Sequence, residues 1–437
     1  MRPLRVACSL IVAGAACAQS FAQSAPPIAW QQTLDGGSSE AASAVDGDGT
    51  GHVYVSGTTD GGLDGPGLEP HQGFLAKYDT AGGLLWTRQL GTSLDDHISG
   101  VSADASGNVF IAGQTWGALD GLPLGKSDAF VAKYDAAGNS VWTRQFGTAE
   151  SDAAFGVVAD GLGNVYVSGS VNEIPIFPYP SDAFLRKYDG SGALLWDRQI
   201  GTSADDTAFN VATDGLGNFY AAGDTTGAID GMNAGSYDAW LAKYDADGNE
   251  LWRRQRGSSS ADFVRDVAAD GLGNIFLSGY SNGNLNGPPA GIYDAFVMKY
   301  DAAGNHVWTR QLGTTSQDES WGVTADGLGN VLISGSTDGA LDGMNLGGND
   351  AFVSMYDGAG SLVWTRQWGT VNDDGAADVW ADGSGRVYVA GSLNSTGRSG
   401  TTSNAFLTKL ATVPEPGALA LASLVAATLC TPRLRRR

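Results

Sequence analysis

Seven tryptophans set the ruler of this chain. Trp30, Trp86, Trp142, Trp196, Trp252, Trp308 and Trp364 follow one another at 56 residues, except for a step of 54 between Trp142 and Trp196. Six of them sit in near-copies of one phrase: LWTRQLGT from Leu85, VWTRQFGT from Val141, LWDRQIGT from Leu195, LWRRQRGS from Leu251, VWTRQLGT from Val307 and VWTRQWGT from Val363. A degenerate relative, AWQQTLDG, begins at Ala29. A period held through most of 437 residues describes an array of equivalent units that share one core, not a set of unrelated domains.

Within one unit, residues 96–146, four short apolar runs (GVSAD, NVFIAG, AFVAKYD and SVWTRQF) alternate with Gly, Asn and Asp signals. The runs are too short for helices and rich in valine and aromatics, so they read as strands. DASGN and DAAGN read as tight hairpins, because Gly and Asn tolerate positive φ. A four-stranded antiparallel meander repeated in this way predicts an all-β, seven-bladed propeller. The second strand recurs seven times, at Val53, Val109, Val165, Phe219, Ile275, Val331 and Val387. The array begins on a tryptophan strand and ends at Ala405 on the strand that precedes one. Residues 28–34 are therefore expected to pair with residues 404–410, close the ring, and remove the free sheet edges that invite aggregation.

These units resemble a named family. GVTADGLGNVLISGSTDGALDG followed by DAFVSMYDGAGSLVWTRQWGT is similar to the SBBP β-propeller repeat, related in style to NHL repeats, over residues 28–411. The resemblance implies the fold. Its members are mostly uncharacterised exported proteins, and propellers host enzymes, binders and scaffolds alike.

The two ends fall outside the period. Residues 1–22 carry a basic start at Arg2 and Arg5, an apolar core from Leu10 to Ala18 and small residues at Ser20 and Ala22, the order of an export signal cleaved between Ala22 and Gln23. Residues 23–411 then form the propeller. Residues 412–437 hold Pro414, Glu415 and Pro416, an apolar stretch from Gly417 to Cys430, and Arg433, Arg435, Arg436 and Arg437. This end resembles the PEP-CTERM sorting signal, which implies processing by an exosortase in an exopolysaccharide-producing Gram-negative bacterium. The apolar stretch is short of the ~20 residues of a stable span, which fits a transient membrane contact. Cys8, Cys17 and Cys430 all lie in these ends, so the array has no cysteine and relies on its core.

A formal charge of −22, from 47 carboxylates against 25 basic groups, argues against nucleic acid and anionic lipid as partners. His52, His71, His97 and His306 occupy different positions of the repeat, and the sequence pairs none with a second histidine or a cysteine, so no zinc or nucleophile constellation follows. DGLGN recurs without a following helix or lysine and is no phosphate loop. Many aspartates are periodic: Asp96, Asp152, Asp206, Asp262, Asp318 and Asp374 each stand ten residues after a tryptophan, with Glu40 at that count in the first unit. Symmetry puts them on a ring around one end of the channel. Two readings stand side by side: a carboxylate ring for Ca²⁺, or six local caps that bond their own turns. DADGNE at Asp245 begins like a calcium loop but stands where a hairpin is expected.

Departures from the repeat point more directly to function. Three residues past each ring aspartate stand Ser99, Phe155, Phe209, Arg265, Trp321 and Ala377, so four consecutive blades carry a large group there. Phe155, Phe209, Arg265 and Trp321 are candidate ligand residues, since aromatic faces beside carboxylates suit sugar rings. Packing between blades is the competing explanation. A second departure, VNEIPIFPYPSD from Val171, sets Phe177 and Tyr179 in the third blade's loop. The expectation is an exported, non-catalytic surface or matrix protein that binds an exopolysaccharide or another surface protein, with exosortase and the secretion machinery as processing partners. No cofactor is expected beyond the Ca²⁺ considered above. The alternative is a propeller lyase or glycosidase working at the channel mouth with paired carboxylates.

Overall fold

The computed structural model describes residues 24–64, 71–172, 181–395 and 403–411. These residues form seven antiparallel sheets of four strands each. In the second blade the strands are Asp96–Ala103, Val109–Thr115, Asp128–Tyr134 and Ser140–Phe146, in that order from channel to rim. Each innermost strand packs on the next around the ring, and the seventh, Asp373–Ala381, packs on the first, Glu40–Gly47. The ring is closed.

Burial follows from radial position. The second and third strands lie between two neighbouring blades and are buried along nearly their whole length, as Val109–Thr115 and Asp128–Tyr134 show. Both faces are covered, so these strands read as continuous apolar runs instead of alternating ones. The third strand of each blade carries a buried aromatic, from Phe74 through Trp240 to Phe406. Each such side chain contributes about 1.5–3 kcal/mol of hydrophobic stabilisation.

Nearly every letter of the recurring phrase has a physical task, seen in the second blade. Trp142 Nε1 donates to Gly190 O at 3.1 Å and Arg144 Nε to Gly192 O at 2.8 Å, so the outer strand grips the outer hairpin of the third blade. Lys133 Nζ reaches the same Gly190 carbonyl at 3.2 Å. Gln145 ties its strand to the loop inside it: Oε1 accepts from Leu119 N at 2.8 Å, and Nε2 donates to Gly117 O at 2.9 Å. Gly147 leaves room for two carboxylates, since a Cβ there would lie 2.5 Å from Asp152 Oδ2 and 3.0 Å from Asp128 Oδ1. Thr148 donates through both N and Oγ1 to Asp152. The tryptophan and arginine grip recurs from Trp86 and Arg88 on Ala136 and Gly138, and from Trp308 and Arg310 on Gly358 and Gly360.

The gripped hairpins are rigid by design of their own sequence. Asp135 Oδ1 accepts from Ala137 N and Asn139 N, Asn139 Nδ2 returns a bond to Asp135 Oδ2, and Gly138 takes φ 78°. DADGNE is one of these: Asp245 accepts from Asp247 N and Asn249 N, and its apparent calcium loop is a hairpin.

Ring closure occurs as the phase of the repeat requires. Ile28–Leu34 supplies the outer strand of the seventh blade and pairs with Asn404–Leu410, from Ile28↔Leu410 to Leu34↔Ala405. Ala411 N donates to Pro27 O at 2.8 Å, the bond that the hairpin Asp makes in every other blade. The seventh blade then grips the first: Lys409 Nζ donates to Thr80 O at 2.8 Å. The sixth blade faces this seam. Among the described residues its Trp364 Nε1 and Arg366 Nε have no hydrogen-bond partner, and Ala25 and Ile28 pack against the core cluster that contains Trp364.

Deleting residues 23–35 removes that strand and exposes the edge of Asn404–Leu410. The deleted protein is expected to aggregate or lose its cooperative melt in calorimetry and light scattering; an unchanged melting curve would contradict closure by this strand.

Candidate functional site

The innermost strands are not regular. In each blade the ladder between the first and second strands slips by one residue, and the residue left over is Ser43, Ser99, Phe155, Phe209, Arg265, Trp321 or Ala377. A bulge of this kind leaves one residue unpaired and turns its side chain away from the sheet. Here it turns toward the axis. The candidate ligand residues Phe155, Phe209, Arg265 and Trp321 therefore line one cavity of about 430 Å³ at the channel mouth, together with Ser43, Ser99, Asn210, Asp266, Ala377 and Asp378.

Arg265 is the centre of the large-residue side. Its guanidinium lies 4.4 Å from the Phe209 ring, 5.0 Å from Tyr280 and 5.8 Å from Trp321. Nη2 donates to Tyr280 Oη at 2.6 Å, and Nη1 stands 3.8 Å from Asp224 Oδ2. Phe155 and Phe209 approach at 5.3 Å with rings inclined by 30°. Trp321 leans on Tyr280 at 5.7 Å and donates from Nε1 to Ser336 Oγ at 3.4 Å. All four candidates are half-buried. Each has one face on its neighbours and one on the cavity, so packing and ligand contact are both served.

Next to the bulges lies a carboxylate system that the sequence reading did not single out. Asp266 accepts from Asn210 Nδ2, Val267 N and Val323 N, which stitches the fourth, fifth and sixth blades together. Asp378 accepts from Val379 N and from Val45 N at 2.8 Å, which joins the seventh blade to the first. Gly322 lies between the two acids: a Cβ there would sit 2.8 Å from Asp378 Oδ1. Asp46 accepts from Ala103 N at 2.9 Å, from the first blade to the second. Desolvation raises the pKa of all three, Asp46 to about 6, and the mutual repulsion of Asp266 and Asp378 adds to it for Asp378. Burial likewise raises Asp224 to about 7 against the lowering effect of Arg265. One signal was available in sequence: Asn210, Asp266 and Asp378 stand where the other blades have Ala44, Gly100, Gly156 and Gly322.

The periodic aspartates have a different place. Asp96, Asp152, Asp206, Asp262, Asp318 and Asp374 are at most 2% exposed and bond their own turns. Asp96 accepts from Thr92 N and Oγ1 and from Thr115 Oγ1, and Asp206 and Asp318 repeat the pattern with Thr202 and Thr225, and Thr314 and Thr337. Asp262 uses Ser258 and Ser281, while Asp152 and Asp374 take Asn172 N and Asn394 N. Of the two readings of these aspartates, the hydrogen bonds observed are those of six separate turn locks. Among the described residues no three His, Cys, Asp or Glu side chains are grouped to hold a metal.

The histidines also need one correction. The fold brings His71 and His97 together, rings 5.8 Å apart, with His71 bonded to Asp60 and His97 edge-on to Trp116. His52 bonds Asp48 and His306 bonds Thr309, as polar turn residues would. Ala22, Gln23, Phe177, Tyr179, Pro414, Glu415 and Pro416 lie outside the described residues.

A carboxyl whose pKa rises on folding holds its proton more tightly in the folded chain. The stability it lends is complete below the ordinary carboxylate range and is lost as pH rises through the folded value. The window runs from 3.8 to about 6 for Asp46 and to about 7 for Asp224, and Asp266 and Asp378 shift in the same direction. Asp266→Asn is therefore expected to lose less stability than the wild type between pH 5 and pH 8, by about 1–3 kcal/mol in urea unfolding. Equal losses would mean that Asp266 titrates as an ordinary carboxylate.

Comparison with known proteins agrees with this geometry. The chain is 28% identical over 329 residues to Regulatory protein FlaEY of Caulobacter vibrioides, across 63% of this chain and 34% of that protein. It is 23% identical over 363 residues to an uncharacterised WD repeat-containing protein of Acanthamoeba polyphaga mimivirus, across 62% of this chain and 26% of that one. The chain thus spans about a third or less of the length of these relatives. Among solved structures, the Pan2 WD40 domain of Neurospora crassa superposes with a TM-score of 0.51 at 11% identity, over 85% of this chain and 90% of that one, a likeness of fold alone. The model of the SBBP β-propeller repeat matches residues 85–119, 141–173, 195–229, 251–286 and 307–341, each starting within the recurring phrase. Five segments of this ring are thus similar to the SBBP β-propeller repeat.

Proposed function

We propose that the protein is a non-catalytic binding protein whose channel mouth takes a saccharide. The observation that carries this reading is the row of bulged side chains: Phe155, Phe209 and Trp321 each keep a face toward a cavity of about 430 Å³ beside the hydrogen-bonding groups of Arg265, Asn210 and Ser99. Sugar rings stack their CH faces on such aromatics and exchange hydrogen bonds with polar groups at the edge. Export through the first 22 residues, and exosortase processing at Pro414–Pro416 that leaves the propeller at the surface or in an exopolysaccharide matrix, rest on the sequences of the two ends.

A second reading, a lyase or glycosidase at the same mouth, draws on the pair Asp266 and Asp378, both of which line the cavity. Glycoside chemistry uses two carboxyl groups with pKa values pushed apart. Against it, both acids already accept backbone amides that hold neighbouring blades together, a role that needs no substrate.

Trp321→Ala is expected to cost about 1–2 kcal/mol of stability, since the ring is half-buried. It is expected to weaken glycan binding by about 1–3 kcal/mol, taking the range for a nucleobase stacked on an aromatic side chain. Calorimetry of folding and of glycan binding on the one variant gives both figures. Unchanged affinity per folded molecule would end the saccharide reading, and new reducing ends that disappear in Asp378→Asn would favour the enzyme. For sorting, Glu415→Ala is expected to leave a slower-migrating, membrane-retained form in a host with the exosortase; identical fractionation of both versions would count against processing there.

A further inference from the structure

The flank of the channel mouth is closed in the fourth and fifth blades by aromatic side chains. Tyr237 packs on Phe263 at 4.8 Å, and Tyr280 meets Phe263 at 5.1 Å and Tyr293 at 5.3 Å. Between the sixth and seventh blades the same positions are small or polar: Asn349 stands where Tyr237 and Tyr293 do, Gly375 where Phe263 does, and Ser392 where Tyr280 does. The result is a second cavity of about 250 Å³, bordered also by Ser336 and Asp373. Trp321 and Ala377 line both cavities. The two spaces therefore meet across an alanine, beside one indole ring.

We propose that this groove is a second subsite and that the ligand is a linear, uncharged oligosaccharide. It runs from the channel mouth past Trp321, over Ala377 and into the groove. The inference rests on the saccharide reading of the mouth and adds a direction, a minimum length and a charge. A cavity of about 250 Å³ is smaller than the ~300 Å³ at which ligand pockets usually begin, so it extends a site and does not form one alone. Its polar groups suit hydroxyls: Asn349 and Ser392 make no side-chain hydrogen bond among the described residues, and Ser336 already receives Trp321 Nε1. Asp373, which accepts from Asn349 N at 3.0 Å, and the net charge of −22 disfavour an acidic chain.

Gly375 offers a direct test because its backbone accepts a side chain: an added Cβ meets nothing nearer than Ser336 Cβ at 3.8 Å. Gly375→Phe restores the aromatic of the fifth blade and fills the groove; Asn349→Tyr fills it from the other wall. The probes are β-1,4-glucose, α-1,4-glucose and β-1,4-N-acetylglucosamine ladders of one to six units, titrated onto the full chain, with thermal melts to confirm folding. Wild type is expected to bind a tetrasaccharide of one ladder about tenfold or more tighter than its monosaccharide. Either filled variant is expected to lose that gain and keep monosaccharide affinity within about twofold. Affinity independent of length, or a length gain that survives in both folded variants, overturns the groove while the saccharide reading of the mouth stands. Binding to none of the ladders by wild type overturns both.

Discussion

Everything in this molecule depends on the grip of one blade on the next. An isolated four-stranded sheet of this composition would expose both faces of its second and third strands. In the first five blades the Trp and Arg of the outer strand bond carbonyls of the following hairpin at 2.6–3.3 Å, as Trp142 and Arg144 do on Gly190 and Gly192 and Arg310 on Gly360. A hairpin whose carbonyls point outward at fixed places is a good acceptor only if it is stiff, and the Asp135–Asn139 lock with Gly138 at positive φ makes it so. Grip and turn are thus two halves of one device, repeated around the ring until the N-terminal strand completes the last blade.

The candidate site lies where the repeat yields. A regular innermost strand would hold all its residues in the ladder, alternating between its two faces. The one-residue bulge frees a side chain per blade and aims it at the axis. Seven blades give seven such positions, and only four of them carry Phe155, Phe209, Arg265 and Trp321. The asymmetry has a direction: bulky groups through blades three to six, small ones at Ser43, Ser99 and Ala377.

The inner acids show how the same ring is stitched from inside. Asp46, Asp266 and Asp378 each accept an amide from the innermost strand of the adjacent blade. Hydrogen bonds to those amides favour the charged form while desolvation opposes it, and desolvation is the larger effect for all three. The inner seam is therefore strong in hydrogen bonds and sensitive to proton concentration, a property that the outer grip of Trp and Arg does not share.

The sequence by itself determined the number of blades, the order of strands within each and the closing pair of residues 28–34 with 404–410, because periodic burial and hairpin chemistry are local and are written out seven times. It also picked out the four large residues of the mouth, since a departure from a repeat is visible without coordinates. Only the tertiary structure decided what the periodic aspartates do. Their spacing is compatible with a shared ring and with a set of separate caps, and the bonds seen are those of caps, with Thr92, Thr115 and their counterparts folded over each carboxylate. The bulge, the meeting of Asp266 with Asp378 from blades 112 residues apart in sequence, and the open groove beside Ala377 were also decided there. A sequence pattern records which residues alternate, whereas register slips and contacts between non-neighbouring blades arise only when the whole ring closes.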